Sequence, residues 1–142
     1  MALEERRAWI AGVVALLGYG GYLVALLVGG DGRSLAERPY AAALLWSIGA
    51  AVVVTVLLSV AAAAIRPEEG AAKDLRDRQI HRFGEHVGQS FVVIGAVAAL
   101  LLALAEAAPF WIANAVYLAF VLSAVLGAMA KVAAYRRGLP QW

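Results

Sequence analysis

Residues 39–65 read PYAAALLWSIGAAVVVTVLLSVAAAAI, a run of 27 positions without a charged side chain. A helix needs about 20 consecutive apolar residues to cross the roughly 30 Å hydrocarbon core of a bilayer. Because the run exceeds that length, it predicts a helix that spans a membrane.

Three more uncharged runs accompany this one, and each is long enough to span. They cover residues 8–30, 86–105 and 107–130, with 23, 20 and 24 positions. The chain of 142 residues is 63% apolar and only 15% charged, with a mean hydropathy of +0.79, whereas a soluble domain carries about 25% charged residues. We therefore predict an all-α fold, a four-helix transmembrane bundle that forms a single integral membrane domain over residues 1–142.

Local signals give the predicted boundaries. Pro39 and Pro109 stand where the second and fourth helices should begin, because a missing N–H costs nothing there. The first run is longer than the roughly 7 to 15 residues of a secretory signal and ends without an A-x-A-like site, so we expect an uncleaved first helix. The predicted spans are residues 8–30, 39–65, 86–106 and 109–134, with a charged segment at 66–85.

Lysine and arginine are distributed unequally between the two predicted faces of the membrane. Ten of the twelve lie before the first span, between the second and third spans, or after the fourth, whereas Arg33 and Arg38 lie between the first and second. Cytoplasmic segments carry the excess of Lys and Arg. We therefore predict that both termini and residues 66–85 are cytoplasmic.

Composition and motifs exclude several kinds of chemistry. The chain has no cysteine, which excludes disulfides, thiolate metal sites and dithiol redox cycles. Its net charge of +2 is spread over short loops, so we expect no nucleic-acid partner. His81 and His86 lie at the cytoplasmic end, whereas a haem would need axial ligands inside the helices. Because the sequence also lacks a phosphate-binding loop, an H-E-x-x-H motif and a Ser-His-Asp arrangement, we expect no enzyme, cofactor or metal site.

The charged segment ends in residues 73–86, which read KDLRDRQIHRFGEH. Asp74 with Arg78, and Asp77 with His81, stand at i and i+4, and opposite charges at that spacing favour a helix. We expect this helix to continue directly into the third span.

Two interpretations of the charged segment stay open. Residues 66–85 hold five basic and five acidic residues, which argues against a polybasic patch that binds lipid. The segment is then either a charge-balanced solvated helix or a docking surface for a cytoplasmic partner or another protomer. The candidate docking residues are Asp74, Arg76, Asp77, Arg78 and Arg82.

A family resemblance rests on residues 73–107, which begin with KDLRDRQI, and on the later motifs FWIAN, FVLSAVLG and AYRRG. Together these motifs resemble a family of small four-helix integral membrane proteins common in actinobacteria, with a cytoplasmic KDxRDRxI motif and a C-terminal AYRRG. The similarity covers most of the chain and is strongest from Lys73 to Gly138. It implies the four-helix fold and a location in the bacterial cytoplasmic (inner) membrane, and it carries over no activity.

The sequence departs from that family at three positions. Leu75 stands where the family has a polar residue, and Ala108 and Pro109 stand where it has an acidic residue followed by histidine. A metal site built from that acid and histidine would lack its ligands here, which leaves Glu106 alone at the outer face.

Ionisable and amide groups at membrane depth are candidate functional residues. Glu106 falls near the outer end of the third span, on the same helical stripe as Gly88 and Gly95. We expect it to face the vestibule of the bundle, within reach of Asn114; the alternative is a hydrated boundary residue.

Tyr19 and Tyr22 fall near the middle of the first span, and a buried phenol needs a hydrogen-bond partner. Hydroxyl groups on the other spans and the amide of Gln89 offer such partners. We expect polar bonds between helices, and a ligand pocket beside the two tyrosines is the alternative.

Small residues form stripes on two spans. On the third they are Gly84, Gly88 and Gly95, and on the fourth they include Ser123 and Gly127. Small residues let helix backbones approach closely in a membrane. These stripes therefore predict helix packing or homodimerisation.

The function predicted from these patterns is that of a structural, accessory or interaction subunit in the membrane. Its partners would be the lipid bilayer and a second copy, or a membrane or cytoplasmic protein. The alternative is a small dimeric transporter, or a protein that binds a small molecule or lipid, using Glu106.

Overall fold

The computed structural model describes residues 3–28, 39–65 and 75–138. Over these ranges the chain forms four α-helices and no strand: α1 (Leu3–Val28), α2 (Ala41–Ile65), α3 (Leu75–Leu104) and α4 (Pro109–Arg137). All four are long and apolar enough to cross a membrane. The prediction of an all-α, four-helix transmembrane bundle is confirmed, and the chain is a multi-pass membrane protein.

The helices alternate in direction. The first residues of α1 and α3 therefore lie beside the last residues of α2 and α4, and we call this the termini end of the bundle. Glu5 of α1 bonds Arg136 of α4 there. The loop between α3 and α4 lies at the opposite end.

The helix α4 is central to the packing. It makes its most extensive contact with α3 and a smaller one with α1, while α2 packs mainly on α1. Although α2 (Ala41–Ile65) is the most apolar of the four, none of its residues is buried in the protein. Lipid tails are as apolar as leucine, so high hydropathy alone does not drive a helix into a bundle.

The contact between α3 and α4 is close because glycines line it. Gly84, Gly88 and Gly95 of α3 are all buried. A Cβ added at Gly88 would lie 2.9 Å from the Ser123 backbone oxygen, and one at Gly95 would overlap the Ala119 side chain. The stripe on α3 thus faces α4 and not lipid.

The observed helices extend beyond two of the predicted spans. The first begins at Leu3 and the fourth continues to Arg137. The charged segment from Leu75 onward and the third span form one continuous helix, as expected from the charge spacing. The additional turns carry charged side chains, which are stable in the headgroup region or in water but costly in the hydrocarbon core. These turns therefore lie outside the hydrocarbon.

The third helix ends earlier than predicted, and this corrects the placement of Glu106. The N–H of Glu106 donates to Ala103 O and that of Ala107 to Leu102 O, each at 3.0 Å. This pair of bonds is the Schellman motif, which requires a left-handed residue after the helix. Glu106 takes that position with φ 57°, so it lies exposed in the turn and does not face a vestibule.

Candidate functional site

A polar cavity of about 440 Å³ lies at the termini end, between all four helices. Its walls carry charges of both signs. The ionisable residues that line it are Glu4 and Arg7 of α1, Asp77, His81 and Glu85 of α3, and Lys131 of α4. Thr55 and Ser59 of α2, with Ser123 and Tyr135 of α4, add hydroxyl groups, and apolar residues of α1, α3 and α4 form the rest of the lining.

The wall between α3 and α4 depends on Gly84. The aliphatic part of Lys131 crosses α3 where Gly84 has no side chain, and a Cβ there would collide with it. This path brings Lys131 Nζ to 2.9 Å from Glu85 Oε1. The Lys131 side chain is 19% exposed and that of Glu85 is 64% exposed, so the ammonium lies inside the wall and the carboxylate lies at its rim.

A second tie between α3 and α4 lies nearer the helix ends. The Tyr135 hydroxyl donates to Asp77 Oδ1 at 2.6 Å, and Arg76 donates to the Tyr135 carbonyl oxygen at 3.3 Å. Ile80, one turn along α3 from Asp77, is 1% exposed. This end of α3 is therefore fixed on α4 by both packing and hydrogen bonds.

The α1 side of the cavity holds two ion pairs. Arg7 bonds Glu4 at 3.1 Å on the cavity wall. Behind the wall, the Glu5 side chain is only 10% exposed and accepts a 3.1 Å bond from Arg136. The Arg136 guanidinium lies 5.9 Å from the centre of the Trp9 ring. Arg7 Nε is buried and finds no hydrogen-bond partner in the described part of the chain. Buried donors of this kind normally have a partner.

The structure separates the candidate docking residues into two groups. Arg76 and Asp77 bond Tyr135 and thus hold α3 on α4. Arg78 and Arg82 are exposed. Asp74 lies outside the described residues.

The membrane interior of the bundle contains a cluster of three tyrosines. The ring centroids of Tyr19, Tyr22 and Tyr117 lie 5.2–6.3 Å apart, and Tyr22 is 2% exposed. The Tyr22 hydroxyl donates to Asn114 Oδ1 at 2.7 Å, and Asn114 Nδ2 donates to Phe110 O at 2.8 Å. Asn114 is thus occupied by Tyr22, and the expected pairing of Asn114 with Glu106 is wrong.

Ser47 connects α2 to this cluster. Its hydroxyl donates to Gly18 O at 2.7 Å and also bonds the Tyr117 hydroxyl. Because a serine has one O–H, the Tyr117 hydroxyl is the donor in the second bond. These bonds join Tyr22 of α1 to Asn114 of α4, and Ser47 of α2 to both α1 and α4. The cluster therefore connects α1, α2 and α4.

Gln89 and its neighbour Ser90 take no part in that connection. Both are exposed, and the Ser90 hydroxyl donates to His86 O of its own helix at 3.1 Å. Their position on the outward face of α3, opposite the glycines, keeps them from reaching another helix. Neither residue therefore supplies the bond between helices that was expected of the amide of Gln89 and of the hydroxyl groups on the spans.

Three comparisons with known proteins complete the description. No family model, no curated protein and no solved structure matches the chain. Within residues 3–28, 39–65 and 75–138, no group of three or more His, Cys, Asp or Glu residues is arranged to hold a metal ion.

Sequence reasoning missed the cavity because its residues are distant in the chain. A usable signal was nevertheless present in the charge pattern. Glu85 immediately precedes the third uncharged run and Lys131 immediately follows the fourth. Antiparallel helices place these two positions at the same membrane depth, which is the condition for their ion pair.

Proposed function

We propose that this chain acts by binding, without catalysis, and that its ligand is a small solute carrying both a cationic and an anionic group. The observation that carries the proposal is the cavity of about 440 Å³ with fixed charges of both signs. Ligand sites in proteins range from about 300 to 1,000 Å³. The cavity therefore has room for a small molecule.

The distribution of charge over the walls supports a zwitterion. Asp77 and Glu85 lie on α3 with His81, Lys131 lies on α4, and Arg7 lies on α1 beside Glu4. These charges are paired with each other, Lys131 with Glu85 and Arg7 with Glu4. A solute with two opposite charges can replace both partners of such a pair, whereas an ion of one sign can replace only one of them. Arg7 lines the cavity and is the residue of α1 that would meet the anionic group.

We also propose the location and orientation of the protein. The ten-to-two distribution of Lys and Arg supports a cytoplasmic termini end, and the cavity would then face the cytoplasm. The family resemblance supports a bacterial inner membrane. The chain has no cysteine, so a single Lys73→Cys variant tests the orientation. It should react with an impermeant maleimide only after cells are lysed, and labelling in intact cells would contradict the orientation.

The binding test uses ω-amino acids of increasing chain length, each beside the amine and the carboxylate of the same length. The protein is held in phosphatidylcholine nanodiscs and binding is measured by calorimetry. We expect at least one zwitterion to bind saturably and more tightly than either of its singly charged analogues. Absence of saturable binding by every zwitterion contradicts the proposal.

A pair of variants locates the binding. Ala124 lines the cavity, whereas Ala133 of the same helix is exposed on another face. Ala124→Phe should abolish binding by filling the cavity, and Ala133→Phe should retain it. Equal binding by both variants would place the ligand elsewhere.

An accessory or interaction subunit is the second candidate function. The supporting observation is that α2 (Ala41–Ile65) has no buried residue, so that its face away from α1 is available to a membrane partner or a second copy. Cysteines introduced at Gly49 and Val53, both exposed on α2, test this by crosslinking in native membranes. A transporter that depends on Glu106 has less support, because that residue lies in a turn at the end opposite the cavity.

A further inference from the structure

The charged segment of α3 is balanced in sequence but segregated in space. Its acidic residues Asp77 and Glu85 bond Tyr135 and Lys131 of α4. Ile80, Gly84 and Gly88 lie on the same side as Asp77 and are buried. Glu85 lies about 100° away from Gly84 and is exposed, and its side chain reaches Lys131 from the edge of the contact. The acidic charge of α3 is therefore directed towards α4.

The opposite side of α3 carries basic charge. At about 100° per residue, Leu75, Arg78, Gln79, Arg82 and His86 fall within an arc of about 100°. All five are exposed. We call Arg78 and Arg82 the basic stripe.

The basic stripe continues into a face that lipid covers. Val93, Val97 and Leu100 lie on the same side of α3, and all three are exposed. Residues 86–104 are uncharged, and at about 1.5 Å per residue they measure about 28 Å, which matches the hydrocarbon core of a bilayer. His86 then lies at the edge of the hydrocarbon, and Arg82 lies about 6 Å beyond it, at the depth of the headgroups. Arg78 lies about 12 Å beyond the edge, from where its long side chain can reach back to the headgroups.

We propose that the basic stripe binds the phosphate of an anionic phospholipid in the leaflet at the termini end. The arginine guanidinium matches phosphate oxygens with paired N–H donors. Within the described residues neither Arg78 nor Arg82 takes part in an ion pair. The same face is apolar along the hydrocarbon depth, so the molecule that lies against it carries both acyl chains and a headgroup.

This arrangement of charges bears on the expectation from composition that residues 66–85 form no polybasic patch for lipid. Equal numbers of acidic and basic residues argue against a polybasic patch when both signs occupy the same surface. They do not do so when the two signs lie on different surfaces. Here Tyr135 and Lys131 bind Asp77 and Glu85, the two acids of the segment that the structure describes, and within the described residues the basic stripe is not paired with either. Glu68, Glu69 and Asp74 lie outside the described residues. The proposal concerns the outer face of α3 and does not depend on the cavity.

The test measures lipid binding to the full chain by native mass spectrometry. The protein is titrated with phosphatidylglycerol and with phosphatidylcholine of the same acyl chains. We expect tighter binding of phosphatidylglycerol. Each arginine near a membrane surface contributes about a fivefold change in affinity, so Arg78→Gln and Arg82→Gln should each weaken that binding about fivefold and together about 25-fold.

Arg137→Gln is the matched control, because Arg137 is exposed at the same end but belongs to α4. It should change phosphatidylglycerol binding by less than about twofold, since the loss of one distant surface charge is largely screened. Thermal unfolding of the two single variants, the double variant and the control in phosphatidylcholine should match that of the parent, which would show that all four fold.

Several outcomes would overturn the proposal. Equal binding of the two lipids would exclude a site selective for an anionic headgroup. A loss in Arg137→Gln as large as in Arg78→Gln would show that the effect depends only on the net charge of the protein. Competition by inorganic phosphate at the same concentration as lipid would indicate a soluble anion. Tighter binding of an acidic peptide than of phosphatidylglycerol to the same arginines would indicate a protein partner.

Discussion

The contact between α3 and α4 differs from the contact between α1 and α2. Four glycines, at positions 84, 88, 95 and 127, allow α3 and α4 to approach closely, and hydrogen bonds tie their charged ends. By contrast, α2 is more apolar than either of these helices and buries none of its residues. In lipid, close approach and internal polar bonds decide which helices associate, because hydrophobicity is satisfied equally by protein and by acyl chains.

The largest effect is expected from Gly95→Leu. A side chain at this position overlaps Ala119 of α4, so α3 and α4 must separate. Overpacking of this kind costs about 1–3 kcal/mol in soluble cores. The free energy of unfolding in mixed micelles should fall by that amount.

Gly49→Leu is its control on α2. A Cβ at Gly49 has nothing within 4 Å, so the leucine meets only lipid. The free energy of unfolding should be unchanged or higher, because glycine is a poor helix former. Equal losses in Gly49→Leu and Gly95→Leu would remove the distinction between the two contacts.

Asn114→Ala should have the next largest effect. It leaves the buried Tyr22 hydroxyl without its 2.7 Å partner, and polar bonds between membrane helices contribute about 0.6 kcal/mol on average, with a maximum near 1.7. We expect a loss of about 1 kcal/mol in the same unfolding assay. In the double variant Tyr22→Phe/Asn114→Ala the two losses should not add, whereas additive losses would show that the bond contributes nothing.

Glu106→Gly should stabilise the protein. Glu106 has φ 57°, a conformation that costs a non-glycine residue roughly 1 kcal/mol and costs glycine little. The free energy of unfolding should rise by up to about 1 kcal/mol. Glu106→Gln keeps the side chain that causes this cost, so it should match the parent, and equal stabilisation by both substitutions would point to the charge instead.

Lys131→Met should have the smallest effect. The ion pair with Glu85 joins α3 to α4, but the Glu85 carboxylate is 64% exposed, and exposed pairs contribute about 0–1 kcal/mol. Methionine keeps the aliphatic chain that crosses Gly84. We expect a loss of at most about 0.5 kcal/mol that disappears in high salt, and a loss insensitive to salt would show that packing is responsible.

Much of the architecture was predictable because it depends on local composition. The uncharged runs identified four spans, and Pro109 marked the start of α4. The spacing of Asp74 and Asp77 from Arg78 and His81 indicated that the charged segment and the third span form one helix. The glycine stripe of α3 was visible in the helical period. The end of α3 could not be predicted. Glu106 occupies the left-handed position after the helix, where glycine is usual, and a glutamate there gives no sign in the sequence that the helix ends.

The amino-acid sequence by itself determined that this is a four-helix membrane protein, because the length and apolarity of each run suffice to place a helix in hydrocarbon. Only the tertiary structure decided what the polar residues do. Asn114 bonds Tyr22 and not Glu106. Asp77 and Glu85 bond residues of α4, whereas Arg78 and Arg82 are exposed. The physical reason is that a hydrogen bond or ion pair requires two groups within about 3 Å, and helix rotation and packing order, which bring distant positions together, are properties of the assembled bundle.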